Sequence, residues 1–340
     1  MKNFMPCALL AGLLAATNGC VSTGLSPLER FDFSQAQMGL EFRLTLYAPN
    51  EATALNAAQA AYARIAALNQ ILSDYDSDSE LSRLSQTAGS GEWRTVSPEL
   101  WRVLNAGQRF AEQSGGAFDL TVGPSVNLWR RARRQQQLPT AALLDEMRKR
   151  VGHEHLLLDP VRRAAQLARP NMRLDAGGIA KGYALDEAMS VLREQGIRRA
   201  MIHAGGDLLF GDPPPSRDYW RAELPAQDPG SRPQILHLRN CALGTSGDLV
   251  QFVELDGVRY SHIVDPRTGI GLTNRSLVHV IAPDGMTADA LGTAFCVLGL
   301  AGSRELATHY PQVSYQLTES LAGRTNTWQS PGFARNLLDP

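Results

Sequence analysis

Cysteine is scarce in this chain, with four among 340 residues. That is too few for the dense cross-linking that holds small secreted domains together. An excess of charge of one sign is missing too, because 33 basic and 34 acidic residues are spread along the sequence and leave a formal charge of −1. Without a basic stripe, nucleic acid is not an expected partner. No internal repeat or low-complexity tract occurs, which sets aside repeat architectures. The apolar run near the N-terminus, Ala8 to Ala16, spans only nine residues, well short of the roughly 20 that cross a bilayer as a helix. What is present is ordinary: an apolar fraction of 44%, enough for a sizeable core in one large domain or two smaller ones.

The N-terminal run has a different use. Lys2 supplies a positive charge, the apolar stretch follows, and Gly19 stands directly before Cys20. This order resembles a bacterial lipoprotein signal, in which Cys20 becomes a lipid-bearing N-terminus; simple secretion and an uncleaved anchor are the other readings. The expected organisation is therefore a leader at 1–19, a tether at 20–36 and one folded domain at 37–340. Loss of the leader removes Cys7 and commits Cys20, leaving Cys241 and Cys296. Cys296, in an apolar helical stretch, reads as a small core residue, and spacing gives no support to a bridge between the two.

Along the chain, Leu40, Phe42, Leu44 and Leu46 alternate with polar residues in the period of a half-buried strand. A helix is expected over 51–72, stopping at the polar run Ser73 to Ser79. A second has Ser97 as its cap, Pro98 at its first position and Gly115-Gly116 as its stop. The Arg- and Gln-rich stretch 130–170 suggests an exposed helix and a short hairpin, and Gly178 to Gln195 another helix closed by Gly196. Strands are expected at 200–204, 220–224, 251–255, 259–264 and 276–282, with a last helix from about Thr287 to Leu298. Helices and strands mix without a βαβ rhythm, so the expected class is α+β.

Five segments hold more Gly, Asp and hydroxyl residues than packing requires. In Asp74 to Leu81 a polar turn carries Tyr75, which could stack on a planar ligand or merely sit in a solvated turn; the Gly and Glu of a calcium loop are missing. Gly116 to Pro124 would let backbone approach a ligand, with Asp119 as an acceptor, or would be a plain helix-to-strand turn. Asp175 to Tyr183 is a Gly-rich turn feeding a helix, where free N–H groups, the dipole and Lys181 favour phosphate; its spacing is not that of a Walker loop. Gly244 to Asp248 and Tyr260 to Gly269 bring hydroxyls and His262, a candidate general base or a strand-end hydrogen-bonding residue. Finally, Asp289 and Thr293 lie four apart and share a helix face, suited to a hard cation such as Mg²⁺ or, alternatively, to capping and the helix dipole.

Taken in order, Met38-Gly39, Tyr75 with Ser79 to Leu84, Ala117-Phe118-Asp119, Asp175 to Gly182, Ala204-Gly205-Gly206-Asp207, Thr245-Ser246-Gly247, Ser261 to Gly269 and Ala288-Asp289-Ala290 resemble the ApbE family, the FAD:protein FMN transferases. The resemblance runs from Met38 to about Gly299, with Leu40 standing where many members have Thr. It implies a T-fold-like core with a smaller α+β lobe. It further implies that Met38, Tyr75, Ala117, Phe118, Asp119, Asp175 and Lys181 contact FAD with Ile263 nearby, and that Mg²⁺ is held by the Gly178 carbonyl, Asp289 and Thr293. His262 is the candidate base. The implied reaction is attack of a target-protein Thr or Ser hydroxyl on the FMN-side phosphorus of FAD, with AMP leaving, and the implied recipient is a respiratory or redox membrane-complex subunit. Many members are periplasmic lipoproteins, which agrees with Cys20 and with a lipid anchor on the periplasmic side of a bacterial membrane, the inner one favoured. An exported FAD-storage lipoprotein and a metal-dependent FAD pyrophosphatase are the other readings.

Overall fold

The computed structural model describes residues 27–225, 232–248, 252–321 and 324–337. The expected leader and Cys20 lie outside them. The chain joins the fold earlier than the expected tether allows, because β1 (Glu29–Gln37) pairs antiparallel with β2 (Leu40–Ala48) over its whole length. The physical reason is a period-two pattern in which Phe31 and Phe33 pack on the core while Arg30, Asp32 and Ser34 face outward. Two aromatics among polar residues make a thin signal for an edge strand.

Helix α1 (Glu51–Leu72) is capped by Asn50, whose side chain accepts from the Thr53 amide, and it buries Ala54, Ala58, Ala61, Ile65, Leu68 and Leu72. After α2 (Glu80–Gln86) and β3 (Arg94–Thr95) comes α3 (Pro98–Gln113), with Ser97 capping the Leu100 amide as its sequence requires. The 130–170 stretch contains two helices where one was expected. α4 (Gly123–Gln135) starts sooner because Pro124 suits a first helical turn, and α5 (Ala141–Arg148) follows before the hairpin β4 (Leu156–Asp159) and β5 (Ala164–Leu167). Next come α6 (Ala180–Glu194), β6 (Ala200–Ala204), β7 (Asp207–Phe210), β8 (Trp220–Leu224), β9 (Gln234–Leu238), β10 (Cys241–Gly247), β11 (Phe252–Leu255), β12 (Val258–Ser261) and β13 (Arg275–Ala282). The chain closes with α7 (Gly285–Ala307), β14 (Ser314–Leu321), β15 (Arg324–Gln329) and α8 (Pro331–Ala334).

Eight strands form one sheet in the order β1-β2-β6-β7-β10-β13-β14-β15, antiparallel throughout. One face carries the main core: Phe42, Leu44 and Leu46 of β2, Val278 and Val280 of β13 and Leu317 of β14 pack in a common cluster with residues of α1, α6 and α7. The other face is closed by the β8–β9 hairpin over Phe210, Leu243, Ile281 and Phe333. A separate three-stranded sheet, β3-β5-β4, buries Leu156, Ala165 and Leu167 in the same main core. This is an α+β fold.

A close backbone crossing fixes α7 against α6. A Cβ at Gly182 of α6 would lie 2.0 Å from the Gly285 carbonyl oxygen, so the two helices cross at backbone contact. Apolar enough by composition to cross a membrane, α7 is instead two-thirds buried inside the fold and bends at Gly299, where φ is 63°. Cys241 and Cys296 are both free thiols, so no bridge joins them, and burial pushes them up to about 11 and about 12 respectively. Cys296 is the core residue its context suggests.

Candidate functional site

The Gly-rich turn before α6 begins at Asp175, whose amide donates to the Leu120 carbonyl at 2.7 Å and so ties the turn to the segment after Phe118. Its amides are less free than the sequence suggests. Gly177 N donates to Asp175 Oδ1 at 2.8 Å, Ile179 and Ala180 N to the Ala176 carbonyl, and Gly182 N to Asp289 Oδ2. A turn this short closes on itself, and the positive charge of the site comes mainly from Lys181.

Lys181 extends from the first turn of α6 into a pair of carboxylates. Its Nζ lies 2.6 Å from Asp289 Oδ1 and 3.1 Å from Asp207 Oδ2. Asp289 Oδ2 also accepts the Gly182 amide at 3.0 Å, and Asp207 Oδ1 accepts the Thr245 amide at 2.9 Å. Burial alone would lower the lysine, but Asp207 and Asp289 outweigh it and hold the ammonium above the ordinary lysine range. Burial pushes the Asp289 carboxyl up, against the pull of Lys181.

Two carboxylates around one ammonium leave a formal charge of −1, and Asp207 Oδ2 is buried without an aligned hydrogen bond. A Cβ at Gly178 would sit 3.0 Å from Thr293 Oγ1 and 3.3 Å from the Phe118 ring, so turn backbone, hydroxyl and ring converge beside the carboxylates. Carboxylate, hydroxyl and carbonyl oxygens with one surplus negative charge fit a hard divalent cation. Among the described residues no group of three or more His, Cys, Asp or Glu forms a richer cation site. The cap of α7 is Asp284 and not Thr287. The α7 amides are served by Asp284, which accepts from Thr287 N, and by Asp186, which accepts from Gly285 N and Met286 N.

The other candidate residues lie on several separate elements. Tyr75 is 80% exposed, on a loop whose Asp74 pairs with Arg130 of α4. Arg130 reaches Asp175 Oδ2 at 3.3 Å as well, so Tyr75 and Asp175 are joined through one guanidinium. Burial and the neighbouring Asp74 push Asp175 up to about 6, with Arg130 opposing. Met38 occupies the tip of the β1–β2 hairpin with a φ of 50°. Ala117 and Phe118 are buried. Asp119 is buried, and its Oδ1 accepts both the amide and the hydroxyl of Thr121 at 2.7 Å, so that oxygen braces its own turn.

His262 is half-buried in the loop leaving β12. That loop is held on both sides of it: Trp129 Nε1 donates to the Ser261 carbonyl at 3.0 Å, Ser261 N to the Leu272 carbonyl at 2.7 Å, and Leu272 N to the Ile263 carbonyl at 2.9 Å. Ile263 itself packs into the main core. Two participants escaped the sequence reading. Asp207 could have been found at the end of its Gly-Gly-Asp turn; Arg130 gave no local signal, since it is one of four arginines in α4.

Sheet, Gly-rich turn and carboxylate pair agree with a known class. Residues 38–317 match the model of the ApbE family, and the chain belongs to that family. The FAD:protein FMN transferase of Escherichia coli strain K12 is 30% identical over 281 residues, covering 79% of this chain and 78% of that protein. The FAD:protein FMN transferase of Vibrio cholerae serotype O1 is 36% identical over 237 residues, covering 68% and 70%. Among solved structures, the flavin transferase ApbE from Vibrio cholerae superposes with a TM-score of 0.83 at 31% identity, over 92% of this chain and 100% of the other. The apbe protein of Thermotoga maritima gives 0.80 at 27% identity, with the same coverage.

Proposed function

We propose that this enzyme moves FMN from FAD to a Thr or Ser hydroxyl of a target protein and releases AMP, with Mg²⁺ required. The observation that carries this reading is the Lys181 ammonium between Asp207 and Asp289, beside Gly178 and Thr293 at the foot of the Gly-rich turn. A protein that only stored flavin would have little use for buried carboxylates in surplus over their counter-charge.

Gly178, Asp289 and Thr293 would hold the cation, which when bound supplies charge withdrawal from a diphosphate. Lys181 contributes a mobile positive charge that phosphate oxygens and the two carboxylates share. Tyr75, Met38, Ala117, Phe118, Asp119, Asp175 and Ile263 surround the flavin nucleotide, Tyr75 by its exposed ring. The recipient hydroxyl attacks the FMN-side phosphorus, the bond to the bridging oxygen breaks, and AMP departs with that oxygen. His262 takes the hydroxyl proton, in a loop that Trp129 and Leu272 keep in place. Cys20 carries the lipid anchor on the periplasmic side, and the recipient is a subunit of a redox or respiratory membrane complex.

The test is to incubate the protein with FAD, Mg²⁺ and candidate recipients and to follow recipient mass and AMP. A recipient gaining one FMN, dependent on Mg²⁺, supports the reading. FMN and AMP released in equal amounts without any attachment would indicate a pyrophosphatase, and bound FAD left intact with every recipient would indicate storage. Intact-mass analysis of the membrane fraction tests the anchor: a soluble chain beginning elsewhere than an acylated Cys20 refutes it.

A further inference from the structure

An exposed tyrosine on a polar loop is normally free on both faces. Tyr75 is not. The Arg130 guanidinium lies over its ring, 4.2 Å from the centroid, close enough for a cation–π contact. The same guanidinium pairs with Asp74 and with Asp175, and Arg173 Nη2 donates to the Asp74 carbonyl at 2.6 Å. Ser73 Oγ accepts the Tyr75 and Asp76 amides at 3.3 and 3.2 Å, so the loop backbone is held as well. A flat cation anchored through both of its terminal nitrogens therefore sits over one side of the phenol, while the residue remains 80% exposed. Its open side is the opposite face.

We propose that Arg130 is a positioning residue for the flavin: it fixes Tyr75 as a one-sided platform, so that guanidinium, phenol and the planar ring of FAD stack in that order. The inference rests on the reading of Tyr75 as a FAD contact. Its physical content is preorganisation. A ring restrained by a neighbour before the ligand arrives has less freedom to lose on binding, and a flat guanidinium can lie parallel to it in a way that a lysine ammonium cannot. Because Arg130 also holds Asp175, it sets the platform relative to the Gly-rich turn where the diphosphate belongs.

The experiment measures FAD affinity and quenching of flavin emission, using FAD alone as probe, for wild type, Arg130→Gln, Arg130→Lys, Tyr75→Ala and the Arg130→Gln/Tyr75→Ala pair. Arg130→Lys keeps a positive charge between the carboxylates and so guards against a variant that fails to fold. Stacking on tyrosine quenches flavin emission, and a merely structural ion pair would not govern that signal. Arg130→Gln is expected to weaken FAD binding by about three- to tenfold and to recover part of the emission. Arg130→Lys should recover emission too, and Arg130→Gln should cost clearly less once Tyr75 is alanine. Wild-type quenching in both Arg130 variants, or an equal loss with and without Tyr75, overturns the proposal while leaving Tyr75 as a contact. Unchanged affinity and quenching in Tyr75→Ala overturns the contact and the proposal together.

Discussion

Replacing Asp289 with Asn separates the charge of the carboxylate pair from its shape. In the native centre Lys181 faces Asp207 and Asp289, a formal −1, and the variant brings that sum to zero while keeping the side chain's size. Asp289 accepts two donors, Lys181 Nζ and Gly182 N, whereas an amide offers one oxygen and turns an NH₂ toward the other donor. One buried donor is then unsatisfied, which costs about 1–3 kcal/mol. The protein should fold, with a midpoint lower by a few degrees. Cation affinity should suffer far more. Groups that merely orient metal ligands cost about 10 to 100-fold when removed, so loss of a direct carboxylate should cost on the order of 10² or more. The assay is thermal unfolding across a Mg²⁺ titration, alongside the rate of FMN attachment. Wild type should gain stability with Mg²⁺, by about 2.7 kcal/mol at a hundred times the dissociation constant, and the variant should show almost no gain over the same range. An equal Mg²⁺-dependent shift in both proteins refutes Asp289 as a ligand. Thr293→Ala, which removes only a neutral hydroxyl, should fall between them.

His262→Ala should still bind FAD and Mg²⁺ but lose transfer by on the order of 10² or more; side-by-side binding and attachment rates check it, and an unchanged rate moves suspicion to Asp248 or Asp265. Gly182→Ala forces a methyl to 2.0 Å from the Gly285 oxygen, so α6 and α7 must separate, and the cost should exceed the usual 1–3 kcal/mol of overpacking; a stability within 1 kcal/mol of wild type would show that the crossing can slide. Burial lowers the His279 imidazole to about 4. Its folded value lies below the unfolded one, so the native state binds fewer protons between them, and stability should fall as pH drops from about 6.5 to 4, by about 3 kcal/mol. His279→Gln, which can still bond the Thr245 hydroxyl that lies 3.1 Å from the native Nδ1, should lose that slope in urea titrations across the window.

Sequence pattern revealed the elements whose signals are local. α1 and α3 show a helical apolar face with Asn50 or Ser97 before it, and α6 follows its Gly-rich turn, so each begins where its residues say. The strand β1 was hidden because an edge strand with one half-buried face needs only Phe31 and Phe33. Asp289 and Thr293 were legible as a shared helix face. Their relation to Lys181 was not, since nothing in the helical pattern near 289 points to a residue near 181. Asp119 shows a similar gap: one of its carboxylate oxygens is taken up by Thr121, two residues away, and nothing in the sequence distinguishes that oxygen from the other.

The Lys181–Asp289 contact joins residues 108 apart in the chain. During synthesis from the N-terminus, therefore, the Gly-rich turn and Lys181 emerge long before their carboxylate partner. A chain caught before residue 293 has the turn but not the full set of proposed oxygen ligands. Any C-terminal truncation that removes α7 should yield a protein with no capacity to retain the nucleotide, however well the first half of the sheet is made. For a protein proposed to work outside the cytoplasm this ordering has a use. A polypeptide threaded across a membrane in extended form carries no premature cargo, and the cofactor can be taken up only where the finished chain comes to rest.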